Sequence, residues 1–262
     1  MNGDVGRLDL RLRRRSMYGY TVGLAAYALV IVALYPAFKD DTGLNALTAN
    51  GSTVAALFGA TGLITSPAGW LNANLYANAA PLILLLLTIG YGASCLAGQD
   101  EDGTLGLVTT LPVSRRRIVL QKTATLVLLT LPVSAVTLLC VLAGRAFDVS
   151  VSTSGLVGIT LGSLLLAVDL GAVAMMIGAA TGSRGTALGA TSALAVASYL
   201  VSALAPVVSW LHPARYVSLF FYAVGDGQLT DGLPLAWAGV LVAVAALAAG
   251  VCIIAFDRLD VR

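Results

Sequence analysis

Charge is what this chain has least of. Asp, Glu, Lys and Arg make up 11% of its 262 residues, whereas a soluble domain carries about 25%, so a soluble globular domain is excluded. The net charge is only +2, and 58% of the residues are hydrophobic. With a mean hydropathy of +0.89, the chain has neither the polarity nor the charge excess that keeps a polypeptide disordered. Cysteine is scarce as well. Cys95, Cys140 and Cys252 each sit in an apolar run, with no close pair of the zinc or redox kind, and read as reduced packing residues. The one histidine, His212, stands beside Pro213 and cannot build a His-based metal site alone, so it reads as an interfacial loop residue. Lysine occurs twice: Lys39 is followed by Asp40, and Lys122 is preceded by Gln121. A phosphate-binding G-x-x-x-x-G-K-[ST] loop is therefore absent, and ATP chemistry has to lie elsewhere.

Long apolar runs are what the chain does have. Crossing a hydrocarbon core of about 30 Å takes about 20 apolar residues, and six runs meet that length: residues 20–38, 79–97, 118–143, 155–180, 187–208 and 233–256. The fold class expected is all-α, a polytopic membrane protein whose six transmembrane helices form a single domain over residues 1–262. Residues 1–19 are expected to form an interfacial elbow helix, with Val5, Leu8 and Leu12 on one face and arginines over most of the remainder. The run Val54–Ile64 is too short to span and is expected at the interface, and Tyr216–Val224 is another short apolar run. Pro132 is expected to kink the third span.

Orientation follows from the cations. With the N terminus inside, twelve of the fifteen Lys and Arg residues fall on inner segments, leaving Lys39, Arg145 and Arg215 outside. Cations flanking spans are retained in the cytoplasm, so both termini are expected there, in the plasma membrane. Small residues spaced four apart, Gly158 with Gly162, Gly178 with Gly182, and Gly185 with Gly189, let helix backbones approach closely. Packing within the chain and a face for a second protomer both fit. Asp169 is a formal charge well inside a span, where it costs about 2.5–3.5 kcal/mol on insertion scales. A pathway or interprotomer contact is one reading and a protonated, hydroxyl-capped Asp the other. One histidine and one intramembrane carboxylate offer no paired catalytic set, so no catalytic or metal site is expected.

The inner segment 99–122 is the most informative stretch. It runs from an acidic cluster (Asp100, Glu101, Asp102) through Gly103 and Thr104, taken as a helix start, to apolar positions Leu105 and Val108, the turn Pro112-Val113-Ser114, and the cations Arg115, Arg116, Arg117 and Lys122. A short surface helix with an apolar strip is expected. The run Glu101-Asp102-Gly103-Thr104-Leu105, with Leu111-Pro112-Val113-Ser114-Arg115 and then Lys122, resembles the signature E-x-G-T-L, spacer, L-x-x-P-[VI]-S-R and Lys of permease subunits of ABC-2 type ABC transporters. The resemblance implies an exporter permease in which Glu101, Gly103, Thr104, Leu105, Val108, Pro112, Ser114, Arg115, Arg116 and Lys122 form the segment that couples to an ATP-binding subunit. It further implies a second permease protomer, no cofactor in this chain, ATP and Mg in the partner ATPase, and a re-entrant or interfacial outer helix at 216–224. A mechanotransmission complex is the alternative within the same fold, and an ATP-independent secondary transporter or channel is the alternative outside it. Nothing in the chain points to a nucleic-acid partner.

Overall fold

The computed structural model describes residues 4–41, 43, 63–106, 114–225 and 227–258. No strand occurs among them, and six helices are long and apolar enough to cross a membrane. In chain order, α1 is Asp4–Phe38. Helix α2, Pro67–Leu71, continues through a wider turn, Asn72–Tyr76, to α3, Ala79–Ala93, which is extended by Ser94–Gly98 and Gln99–Glu101. Then come α4 (Arg115–Ala143), α5 (Thr153–Thr181) and α6 (Arg184–Leu204). A 3-10 segment, Ser209–Val217, leads to the short helices α7 (Leu219–Val224) and α8 (Gln228–Asp231) before α9 (Leu235–Arg258).

Helix α5 sits at the centre, packed against α3, α4, α6, α7, α8 and α9. A helix apolar on nearly every side is expected at such a place, and its small residues bring the neighbours in. A Cβ at Gly92 of α3 would collide with the carbonyl of Gly171 in α5, so these two backbones touch. Gly158 and Gly162 admit the chain that follows α6. A Cβ at Gly162 would strike the carbonyl of Ala223 in α7, and one at Gly158 would meet Gly232 and Leu233. The chain after α6 thus turns back beside α5 to the level of Gly162, about 13 Å along the helix from Thr153 at 1.5 Å per residue. Of the segment expected over 216–224, Leu219–Val224 packs on α5 with Phe220, Phe221 and Ala223 buried, while Tyr216 and Val217 are exposed. Gly185 and Gly189 have no neighbouring element against them and lie on the open face of α6.

The basic N-terminal segment is not a helix apart from the first span. It forms the opening turns of α1 and packs along α4. Gly19 costs only about 1 kcal/mol as a helix breaker, and the buried stripe Asp9, Leu24, Ala28, Ile31, Val32 and Tyr35 runs the length of the helix. Leu8 and Leu12 point away from the bundle, as an interfacial face requires. Helix α4 passes through Pro132 without interruption. The second helical stretch begins at Pro67 rather than at 79, because Ser66 caps α2 by accepting from Gly69 N. Apart from Leu63 and Ile64, the short helix expected at Val54–Ile64 lies outside the described residues. Cys95, Cys140 and Cys252 are free thiols, and His212 is exposed in the 3-10 segment.

Candidate functional site

Lys122 lies two turns into α4 on a stripe of Ile118, Val119, Thr125, Leu126 and Leu129, all buried. Its side chain is fully buried. An ammonium group left unpaired in such a place costs several kcal/mol, and three elements converge to satisfy it. Lys122 Nζ donates to Asp9 Oδ2 of α1 at 3.0 Å and to Gln99 Oε1 at 2.8 Å. Gln99 Nε2 donates to the other carboxylate oxygen, Asp9 Oδ1, at 3.3 Å. Tyr91 OH donates toward Asp9 Oδ2 at 3.1 Å and toward Lys122 O at 3.3 Å. The Arg13 guanidinium lies 5.2 Å from the Tyr91 ring centroid. Each end of the Gln99 amide and each oxygen of Asp9 is used, the condition for a buried polar cluster to be tolerated.

The neighbouring stem residues attach to the other helices. Glu101 Oε1 accepts from Arg184 N at 2.9 Å, placing a carboxylate at the N terminus of α6, where the helix dipole favours it. Ser183 Oγ completes that cap by accepting from Thr186 N. Arg115 Nη1 donates to Phe256 O at 2.6 Å, and its guanidinium stands 5.3 Å from the Phe256 ring centroid, covering the last turn of α9. The two stems of segment 99–122 are thus bonded to α1, α6 and α9.

Several expectations shift in register. Gly103 has φ +69 and Thr104 N bonds back to Gln99 O at 2.9 Å. Glycine here ends the preceding helix in the left-handed conformation, and helix resumes at Leu105 and Gly106, directly after Thr104 as expected. The acidic residues close the α3 stretch, and Glu101 complements the dipole of α6. Leu105 is fully buried in this chain's own core, so the exposed apolar strip expected from it is not available to a partner. Val108 and Pro112 lie outside the described residues. Ser114 is the N-cap residue of α4, its carbonyl accepting from Arg117 N and Ile118 N, while Arg116 is exposed.

Asp169 is also fully buried, near the middle of α5. Neither carboxylate oxygen meets hydrogen-bond geometry with a described residue, although the backbone of Ala245 in α9 is a polar neighbour. It faces the interior of the chain.

Asp9, Tyr91, Gln99 and Arg184 were not legible as site residues. A signal existed for Asp9: it is the one acid between Arg7 and Arg15.

A family model described as ABC-2 family transporter protein matches residues 5–261. No curated protein matches the chain.

Proposed function

Because this chain belongs to the ABC-2 family of transporter proteins, we propose that it is the permease of an ATP-driven exporter, coupled through residues 99–122 to a separate ATP-binding subunit. As a multi-pass membrane component of an ABC transporter, it works within a system that includes an ATPase. The finer reading places ATP and Mg in that partner and leaves this chain to form the path. It also pairs this chain with a second permease protomer and sets both termini in the cytoplasm of a plasma-membrane protein, in accord with the cation distribution.

The observation that carries the coupling role is the anchoring of both stems. Glu101 on the α6 N terminus and Arg115 on the α9 C terminus tie the segment to two helices at once, and Lys122 ties it to a third, α1. A force applied between the stems acts on all three. Leu105 and Lys122 hold the stems from inside, and Asp102, Thr104 and Arg116 are among the exposed described positions open to partner contact. Asp169 is proposed as a pathway residue that becomes accessible when α5 and α9 part, since a buried carboxylate with both oxygens unpartnered gains from a partner that such an opening would admit.

A photo-crosslinking residue at Thr104 tests the coupling reading in intact cells. The expected product is an adduct with a P-loop ATPase. Adducts with lipid alone, in cells where transport is normal, would overturn it.

A further inference from the structure

We propose that Asp9 is a positioning residue for segment 99–122, clamping its two stems together and making α1 the rod that carries their motion to the outer face. The proposal rests on the coupling reading of that segment and adds the element that receives the motion.

The clamp is a closed set of bonds. Gln99 ends the α3 stretch and Lys122 opens α4, and they touch each other through Gln99 Oε1 and Lys122 Nζ at 2.8 Å. Asp9 then accepts from both stems, from Lys122 on Oδ2 and from Gln99 on Oδ1. Asp9 is 5% exposed and Lys122 is fully buried. In a low-dielectric interior, parting one of these groups from the others strands a charge, so the three elements are held as one body. The charge also selects a single register: sliding α1 by one residue against α4 would turn Asp9 by about 100° away from Lys122. Two further bonds keep that register, Gly6 N to Gln121 Oε1 and Thr125 Oγ1 to Gly6 O, each 3.4 Å.

From this clamp α1 runs unbroken for 35 residues, about 52 Å at 1.5 Å per residue. Its far end is bonded to the outer segment. Trp70 Nε1 donates to Ile31 O and Tyr35 OH to Thr65 O, both at 2.9 Å, and the Trp70 ring stacks on Phe38 at 5.4 Å. One rigid element therefore has polar fastenings to the cytoplasmic stems at one end and to residues 65–70 at the other. Among the described residues Asp9 is the buried charge of α1, so the side-chain fastening of this end to Lys122 and Gln99 depends on it.

The test uses the chain in nanodiscs with the ATP-binding subunit that co-purifies with it. The native cysteines are replaced, and spin labels are placed at the exposed positions Arg11 of α1 and Thr186 of α6. The expected wild-type result is a change in the Arg11–Thr186 distance on trapping with a non-hydrolysable ATP analogue. Gln99→Leu leaves the Asp9–Lys122 pair intact. It should retain the subunit and the melting temperature, while substrate-linked stimulation of ATP hydrolysis falls by roughly tenfold and the distance change is lost. Asp9→Asn should lose the same two signals at a lowered melting temperature, because it leaves Lys122 uncompensated, and exchanging the charges, Asp9→Lys with Lys122→Asp, should recover part of both signals. If Asp9→Asn does not fold, Gln99→Leu carries the test alone. Wild-type stimulation in Gln99→Leu, or an unchanged distance in the trapped wild-type complex, overturns the proposal while leaving the coupling reading in place. A wild-type chain that retains no ATP-binding subunit sinks both.

Discussion

Lys122 and Asp9 lie 3.0 Å apart inside the protein, although 113 residues separate them in the chain. The pair joins α4 to α1 where the cytoplasmic segment re-enters the bundle. Its value is not measured by its stability alone, because a well-packed apolar pair of the same volume is often as stable as a buried ion pair. Breaking it on one side is another matter.

Lys122→Met and Asp9→Asn should each destabilise the chain by about 3–5 kcal/mol, because each leaves a buried group uncompensated. The double variant Asp9→Asn with Lys122→Met should lose clearly less than the sum of the two. A double-mutant cycle from denaturant unfolding in detergent checks this. Additive losses would mean that the two groups do not interact as their geometry requires.

Gly162→Ala should displace α7 from α5 and cost about 1–3 kcal/mol, the range for overpacking a filled interior, since the added methyl meets the Ala223 carbonyl. Gly189→Ala on the open face of α6 is the control and should be neutral or slightly stabilising, as Ala exceeds Gly in helix propensity by about 1 kcal/mol. Thermal unfolding of the two variants side by side decides it. Equal melting temperatures would remove the steric reason for glycine at 162.

Asp169→Asn keeps shape and hydrogen-bonding capacity while removing the charge, and Asp169→Leu removes both. For a pathway carboxylate, both variants insert normally and both lose transport. Full activity in the Asn variant with failure of the Leu variant would make Asp169 a structural hydrogen-bonding group.

Topology is checked by single cysteines in a cysteine-free background at Thr230 and Arg116, both exposed. Thr230→Cys should react with an impermeant thiol reagent in intact cells and Arg116→Cys should react only after lysis. The reverse pattern would invert the orientation.

The sequence by itself determined that the chain is a helical membrane protein, because apolar length against bilayer thickness is a one-dimensional property. The six spans could be placed from it, with α5 observed at Thr153–Thr181 for an expected 155–180. The motif Glu101 to Lys122 was equally local, and it identified the family that the match over 5–261 shows. The facing of residues was not local. The sequence did not reveal that Leu105 turns inward, that Gly158 and Gly162 seat α7 and the chain leading into α9, or that the acids at 100–102 end one helix and cap another. Only the tertiary structure decided these, because a buried polar or small residue is defined by what packs on it, and its partners here come from the far ends of the chain. Asp9 makes the reason concrete. In the sequence it is one acid among five arginines of an interfacial helix, and it becomes the partner of a buried lysine only when α1 lies along α4 in one register.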